Sequence, residues 1–432
     1  MSEPNSQLSV EQLALQRQRY KHLSDDEWRW LLQQHEGRLR TADKLPAFAT
    51  LEDWWYPVRL SCEQCSSELT ARYKTQILQS EGRSYSVGGH TAKRSYSPED
   101  DLSAMADLTG GYGVDTFFLS ELFAHTDYVE QNAELCRIVA HNKDVWQKVK
   151  RQKLSIAIHN TTAEDFLLSS PCGEAGWGLI FLDPARRDSN GGKVFRLQDC
   201  TPNVIDLLPS LLQHLAPGGR LMLKLSPMID ISQALKELSA ALGPSPLCHL
   251  SWDVHVVAVK NEVKEVLLIS RNIETPEYRE TGPAITAIDL SRPEQVFTFT
   301  REEERDTTHP PLEGELEEVF LYEPNAAVLK AGAYKLIADR FGLRKADVNT
   351  HLYFSDTLVP DFPGRVWRIV QCLNDKNAVK TVHGRSANII CRNYPLTPEQ
   401  LKKKLHLRDG GTAYMIACRV AGKPVIYEAE RV

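Results

Sequence analysis

The chain has 432 residues, which exceeds what one ordinary hydrophobic core organises and predicts two or three domains. It contains no apolar run of about 18 residues and no signal-peptide pattern, so we expect a cytoplasmic protein without a membrane partner. The net charge of −6 conceals a basic end: residues 361–432 carry +7 and the preceding residues −13, which predicts a polyanionic partner.

Residues 1–95 are predicted to form a helical region. Ser24 and Glu27 have the spacing of a capping box, and apolar residues such as Trp28 recur at helical spacing after them. The one Cys-x-x-Cys pair, Cys62 and Cys65, lacks a second pair, so reduced thiols are favoured over a metal site.

Strands and helices alternate between residues 96 and 272, a pattern typical of α/β folds. Strands are predicted at 104–108, 127–129, 154–158, 179–182, 220–225, 253–259 and 263–269. Helices are predicted near 114 and 165 and over 132–141, 204–215 and 231–242. The last two strands leave no room for a helix between them and should pair antiparallel. Together these elements predict a doubly wound, seven-stranded sheet.

The remainder of the chain is predicted to contain a connecting region, 273–345, and a small basic α+β domain, 346–432. In the connecting region, the acidic, proline-containing stretch 301–318 is interpreted as a linker or exposed loop, and a helix is expected over 325–341. In the last domain, strands are expected at 364–371, 386–391 and 413–419, and a helix at 397–405.

A glycine-rich turn follows the first predicted strand. Asp107, Gly111 and Gly113 match the pattern acid-x-Gly-x-Gly-x-Gly, with Thr109 where the first glycine would stand. Glycines let the backbone approach a ligand closely, and the helix that follows points its first N–H groups at it. A dinucleotide fingerprint would require a further glycine at Thr116. The turn therefore disfavours a nicotinamide or flavin dinucleotide.

A second segment, about 70 residues later, is an apolar strand that ends in Asp183 and Pro184. The turn and this strand end resemble motifs I and IV of the class I S-adenosylmethionine (SAM)-dependent methyltransferases. Four further segments resemble bacterial members that carry a C-terminal THUMP-like domain: 224–230, 329–333, 349–353 and 359–365. The resemblance implies a Rossmann-like methyltransferase domain, SAM as cofactor, no metal, and structured RNA, tRNA or rRNA, as substrate.

The cofactor site is predicted around the glycine-rich turn. Glu130 ends the second strand 23 residues beyond Asp107, where an acid can accept both ribose hydroxyls of an adenosine. The predicted cofactor residues are Asp107, Thr109, Gly110, Gly111, Gly113, Asp115, Glu130, Thr162, Glu164, Asp165 and Asp183. Glu164 and Asp165 could equally be cap residues, and Asp115 could be a first-turn acid favoured by the helix dipole.

Asp183 is predicted to be catalytic because it ends the fourth strand beside the transferred methyl group; the alternative is a helix N-cap. Ala185 and Arg186 stand where enzymes that methylate exocyclic amines carry proline and an aromatic residue, which weakens an adenine-N6 interpretation. Ser226 stands where the 5-methyluridine enzymes need cysteine, which disfavours that reaction.

Lys224 and Glu265 add a second possibility. With Asp183 they resemble three of the four polar residues of ribose 2′-O-methyltransferases, and Lys93 could supply the fourth. A lysine in such a group can deprotonate a ribose hydroxyl. The alternative is that Lys224 forms a structural ion pair with Asp183 or Glu262. The acceptor atom therefore stays open between a base nitrogen and the 2′-hydroxyl.

Two basic surfaces are predicted to bind RNA. The stretch 72–96 interleaves basic and aromatic residues, a mixture suited to phosphate contacts and base stacking. The predicted RNA-binding residues are Arg186, Arg187, Lys93, Arg94, Arg385, Arg392, Lys402, Lys403 and Lys404. The three lysines could also be a solvated helix face. Two rivals to an RNA methyltransferase remain: a methyltransferase acting on DNA or protein, and a SAM-binding RNA module without catalysis.

Overall fold

The computed structural model describes residues 8–80, 104–150, 154–169, 176–186, 196–242, 250–272, 284–308, 320–373 and 376–432. It consists of two compact units. The first comprises Met1–Ser251 and Leu268–Tyr278, and the second comprises Trp252–Leu267 and Arg279–Val432. Three predicted RNA-binding residues, Lys93, Arg94 and Arg187, lie outside the described residues.

The N-terminal part of the first unit is helical, as predicted. Its helices are α1 (Val10–Ala14), α2 (Asp25–Thr41), α3 (Pro46–Ala49), α4 (Arg59–Gln64) and α5 (Glu68–Ser80). Ser24 and Glu27 form the predicted capping box of α2. Phe48 and Trp54 pack in one buried aromatic cluster with Phe117 and Trp146 from later in the chain. These helices therefore share a core with the sheet that follows them.

The sheet of the first unit contains parallel strands with crossover helices. Its strands and helices are β1 (Ala104–Asp107), α6 (Val114–Leu119), β2 (His125–Val129), α7 (Ala133–Lys150), β3 (Ile156–His159), α8 (Ala163–Ser169), β4 (Trp177–Leu182), a small hairpin of β5 (Ala185–Arg186) and β6 (Cys200–Thr201), α9 (Val204–Gln213), β7 (Leu215–Leu225) and α10 (Ile231–Leu242). The five strands are parallel and lie in the order β7-β4-β1-β2-β3. From β1 the chain first adds β2 and β3 on one side and then β4 and β7 on the other, so the order of connection reverses between β1 and β4. This reversal is the switch point where doubly wound folds bind ligands.

The second unit begins with the last strands of the alternating pattern that was predicted over residues 96–272. Its first elements are β8 (Leu250–Val259), β9 (Glu262–Asn272), β10 (Ala284–Asp289), β11 (Phe297–Thr300) and α11 (Arg301–Asp306); the two units divide the residues of β8 and β9. Lys260 and Asn261, both with positive φ, connect β8 and β9, which are neighbours in the sheet. A two-residue turn requires antiparallel strands, so this prediction is confirmed.

The remaining elements form a seven-stranded sheet with helices. They are β12 (Phe320–Pro324), α12 (Ala326–Ala331), α13 (Leu336–Arg340), β13 (Arg344–Asp347), β14 (Thr350–Ser355), β15 (Gly364–Cys372), α14 (Lys376–Thr381), β16 (Ser386–Arg392), α15 (Pro398–Leu405), β17 (Arg408–Val420) and β18 (Lys423–Arg431). The order is β13-β14-β12-β15-β18-β17-β16. The predicted α+β character is confirmed, and the sheet also includes strands from residue 320 onward.

Two predictions about the connecting region are wrong. The helix expected over 325–341 is two short helices, because Gly332 adopts φ +88° and ends the first of them. Residues 301–306, interpreted as a linker, form α11, whose N-terminus Thr300 and Glu303 cap reciprocally. Within the described ranges, no helix is long and apolar enough to cross a membrane.

Candidate active site

The first element of the site is the buried carboxylate that ends β1. Asp107 accepts hydrogen bonds from the Thr116 hydroxyl at 2.5 Å and from the Thr109 N–H at 3.1 Å. Burial raises the pKa of Asp107 to about 7, although these two hydrogen bonds oppose the rise. Asp107 therefore fixes both ends of the glycine-rich turn.

The three glycines of the turn have different reasons to be glycine. A Cβ at Gly110 would lie 2.1 Å from the Tyr128 ring, so the backbone there contacts β2 too closely for a side chain. Gly111 and Gly113 adopt φ +54° and +79°, the left-handed region that favours glycine. The nearest atom to a Cβ on Gly111 is 3.8 Å away, so the space beside it is open.

Glu130, after β2, is held against this turn. Its carboxylate accepts the N–H of Gly111 at 3.0 Å and the N–H of Asn132 at 2.7 Å. Tyr128 strengthens the same contact, because its hydroxyl donates to the Gly111 carbonyl at 2.6 Å. Each carboxylate oxygen has further acceptor capacity. Glu130 is thus oriented by the protein and remains able to accept hydroxyl groups.

Thr109 links the turn to the end of β4. Its hydroxyl oxygen accepts the backbone N–H of Asp183 at 2.6 Å. A glycine at this position, which the methyltransferase pattern prescribes, could not make this contact. The departure from the pattern therefore has a structural role that sequence reasoning missed.

Asp183 and Lys224 meet where two parallel strands end. Leu182 of β4 is in register with Leu223 of β7, which brings the next residue of each strand side by side. The Lys224 ammonium contacts the Asp183 carboxylate, so the ion pair between these two residues is present. The Asp183 side chain is 38% exposed, and that of Lys224 is 11% exposed. The N-cap alternative for Asp183 is wrong, because β5 follows it.

Asp115 lies behind Lys224, and two residues of the N-terminal region contact it. Its carboxylate accepts the Ser66 hydroxyl at 2.6 Å and lies 3.2 Å from the Lys74 ammonium and 3.8 Å from that of Lys224. Burial tends to raise the pKa of Asp115, but Lys74, then Lys224 and the Ser66 hydrogen bond, bring it below its ordinary value.

Lys74 corrects one sequence-based prediction. It was expected on a basic, aromatic RNA surface over 72–96, but Tyr73 and Lys74 are buried in the described part of that stretch. No motif in the sequence pairs Lys74 with Asp115. The observation that could have suggested it is a lysine in an otherwise apolar helical face, next to Ala71 and Ile77.

The other predicted cofactor residues occupy the start of α8. The Thr162 hydroxyl accepts the N–H of Asp165 at 3.1 Å, which caps the helix. Glu164 and Asp165 are exposed first-turn acids. Glu265, the third predicted catalytic residue, is buried in β9 and belongs to the second unit. Asp183 and Lys224, the other two, both belong to the first unit and contact each other.

Two of the predicted RNA-binding arginines in the C-terminal domain form ion pairs with buried glutamates. Arg392 Nε lies 2.6 Å from the buried carboxylate of Glu323, and Arg385 lies 2.6 Å from that of Glu428. Lys402 pairs with Asp409, whereas Lys403 and Lys404 are exposed near the end of α15. Arg186 lies in β5.

Comparison with known proteins identifies the C-terminal part. Residues 364–431 match the model of the THUMP domain-like family. Residues 320–363 match a ferredoxin-like domain model. Together the two matched segments span the seven-stranded sheet, so the resemblance to methyltransferases with a C-terminal THUMP-like domain is confirmed in this part.

The whole chain is similar to the crystal structure of a provisionally assigned methyltransferase from Porphyromonas gingivalis. That match has 28% sequence identity and a TM-score of 0.75, and it covers 99% of this chain and 95% of the other. An rRNA methylase from Streptococcus thermophilus matches over 40% of this chain and 90% of its own, with 14% identity and a TM-score of 0.30. A search of curated proteins found no match. The doubly wound methyltransferase fold expected from the sequence is confirmed.

Proposed function

We propose that this protein is a SAM-dependent methyltransferase that acts on structured RNA, either tRNA or rRNA. The observation that carries the proposal is the Asp183–Lys224 pair at the end of β4, which Thr109 joins to the glycine-rich turn. A partly exposed carboxylate next to a turn suited to a cofactor is the arrangement that methyl transfer to a proton-bearing atom needs.

The residues of the turn fit SAM. Gly111 leaves open space where a side chain would stand, so a ligand can approach its backbone. Glu130 is already oriented by the Gly111 N–H and can accept the two ribose hydroxyls. When bound, SAM would supply a methyl group on a sulfonium, which makes the transfer intrinsically favourable.

The chain's own residues then have two tasks. The turn and Glu130 would hold the adenosine part, while Asp183 would accept a hydrogen bond from the acceptor group and take its proton. Lys224 orients the Asp183 carboxylate through the ion pair between the two side chains. The acceptor is a nitrogen of a base or a ribose 2′-hydroxyl.

RNA as the substrate is supported by two observations on the second unit. Residues 364–431 match the THUMP-like family model, and residues 361–432 carry a charge of +7. Phosphate neutralisation by such a surface provides affinity without sequence selection. The exposed Lys403 and Lys404 are proposed contacts, together with the guanidinium groups of Arg385 and Arg392 that their glutamates leave available.

The test is methyl transfer from methyl-labelled SAM to RNA extracted from a strain that lacks the gene. The parent protein should label RNA, and Asp183→Asn should not, although both bind SAM with affinities within a few fold. Label in DNA or protein instead would favour the rival substrates. SAM and RNA binding without label in any polymer would favour the non-catalytic module.

A further inference from the structure

Four charged side chains form a line from the interior of the first unit to the exposed end of β4. Lys74 lies 3.2 Å from Asp115, Asp115 lies 3.8 Å from Lys224, and Lys224 contacts Asp183. The exposed fraction of these side chains rises along the line, from 0% and 9% to 11% and 38%. Opposite charges alternate, so the line is neutral as a whole.

The N-terminal helices supply the inner end of this line. Lys74 is on α5 and donates to the Thr70 carbonyl at 3.3 Å, and Ser66 precedes that helix. A buried carboxylate needs a charged partner and hydrogen bonds to stay ionised, and Lys74 and Ser66 provide both to Asp115. The helical region thus acts on a residue that lies next to Lys224.

Lys224 has a carboxylate on each side. Two neighbouring negative charges favour the ammonium form of a lysine, which has no lone pair and cannot accept a proton. If Asp115 were neutral, one of these two charges would be lost. The ionisation of Asp115, which Lys74 maintains, therefore favours the ammonium form of Lys224 over the neutral amine.

We infer that Lys74 and Asp115 are positioning residues of the methyl-transfer site, which hold Lys224 as an ammonium so that Asp183 takes the proton of the acceptor. The inference rests on the proposed function and deepens it. A charged Lys224 cannot deprotonate a ribose hydroxyl, and a carboxylate is a weak base for so weak an acid. A base nitrogen that carries hydrogen fits better.

The step balances for such an acceptor. The nitrogen lone pair forms the new bond to the methyl carbon while the carbon–sulfur bond breaks and its electron pair stays on sulfur. The nitrogen gains positive charge as this bond forms, so its hydrogen becomes acidic enough for Asp183 to take. Lys224 donates to the Asp183 carboxylate throughout and keeps its own proton.

In the described part of the chain, Asp107 and Cys65 are titratable groups near this line. Asp107 has a pKa that burial raises to about 7, and the charges of Asp115 and Asp183 add to the rise. Burial also raises the pKa of the Cys65 thiol, near Asp115 and Lys224, while the ammonium of Lys44 opposes the rise. Since Asp107 could also titrate in a pH–rate profile, the protonation of Lys224 has to be measured at Lys224 itself.

Acetylation of the full-length protein with acetic anhydride across a pH series, with peptide mass spectrometry, reads the protonation of Lys224 directly, because only the neutral amine reacts. Lys74→Met should lower the midpoint pH of Lys224 labelling by roughly half a unit or more, because the buried Asp115 then takes up a proton and Lys224 loses one of its two neighbouring negative charges. Asp115→Asn should lower the midpoint in the same way, because it removes the same charge. Lys150→Met, which removes a partly buried lysine paired with Glu121, is the matched control and should change nothing.

Downward shifts of the Lys224 midpoint in both Lys74→Met and Asp115→Asn, with the alkaline limb of kcat moving to lower pH and unchanged SAM affinity, are the expected result. Equal midpoints in the parent and Asp115→Asn overturn the inference, even if Lys74→Met fails to fold. A parent protein that methylates RNA while neither variant shifts the Lys224 midpoint keeps the proposed function and loses the positioning role. Correct shifts in a protein that transfers no methyl group refute the function and leave the charge coupling.

Discussion

The two units use buried carboxylates in different ways. At the site of the first unit, Asp115 lies between Lys74 and Lys224, and the alternating charges end at one partly exposed carboxylate, Asp183. In the last sheet, the buried Glu323 accepts two guanidinium groups, from Arg365 and Arg392, whose side chains are 30% and 46% exposed. The four charged side chains of the first unit have no net charge and end at one carboxylate. Glu323 with its two arginines has a net charge of +1.

This difference matches the two roles proposed for the two units, which are catalysis in the first and RNA binding in the second. A buried, alternating line of charges costs desolvation free energy and is retained where it sets the state of a particular group. Partly exposed arginines on a shared carboxylate keep N–H groups directed at solvent, where a phosphate can accept them. The comparison predicts that changes in the first group alter reaction rate, whereas changes in the basic surface alter RNA affinity.

The largest expected effect is the loss of catalysis in Asp183→Asn. Removing the proposed base should lower kcat by roughly a hundredfold to ten-thousandfold, with SAM affinity within a few fold, because proton transfer contributes about that much. Steady-state kinetics and calorimetry measure the two quantities. Asp144→Asn, at an exposed position on α7, is the control and should retain parent activity. Full activity in Asp183→Asn would remove the catalytic role.

The next effect concerns the cofactor. Gly111→Val should weaken SAM binding by roughly a hundredfold, because a β-branched residue at φ +54° forces the turn to shift and displaces the N–H that orients Glu130. Gly342→Val, at φ +61° in the second unit, introduces the same backbone strain away from the turn. Calorimetry should find parent affinity in this control. Equal affinity in both variants would contradict the cofactor site.

Asp107 should make the stability of the first unit depend on pH. Its pKa is raised to about 7 by burial, so the folded protein keeps a proton that the unfolded chain loses above about pH 4. Stability is therefore lost as pH rises from 4 to 7. Asp107→Asn lacks this dependence, so its free energy of unfolding relative to the parent should rise by about 2 kcal/mol between pH 5 and 7. Thermal unfolding at a series of pH values measures the change, and parallel curves would refute it.

The smallest effect lies in the basic surface. Reversing Lys402, Lys403 and Lys404 to glutamate should weaken RNA binding several-fold and flatten the slope of log affinity against log salt by roughly one unit for each lost phosphate contact. SAM affinity should not change. Lys148→Glu, at an exposed position on α7, serves as the control. RNA binding equal to the parent at every salt concentration would exclude this face from recruitment.

The parallel sheet was predictable because its periodic pattern is strong. The predicted helix over 231–242 coincides with α10. The ion pair of Asp183 with Lys224 was one of two alternatives for this lysine, and the parallel register of β4 and β7 brings the two residues side by side. The last sheet was harder, since β12, β13 and β14 are short antiparallel segments whose partners are set by tertiary packing.

The candidate site was only partly predictable for a related reason. A motif places residues of one loop, such as Asp107 and Gly111, whereas Ser66 and Lys74 contact Asp115 from the start of α5 and from α5 itself, about 40 to 50 residues earlier in the sequence. Such a contact has no local signature. Thr109 illustrates the converse, since a departure from the motif was visible in the sequence but its bond to Asp183 depends on the position of β4.

Mass spectrometry of nucleosides tests the central claim most directly. RNA would be compared from a strain that lacks the gene and from the same strain carrying either the parent gene or Asp183→Asn. The account predicts that one methylated nucleoside is absent from tRNA or rRNA of the deletion strain, returns with the parent gene, and does not return with Asp183→Asn. Identical methylated nucleosides in all three strains would contradict it.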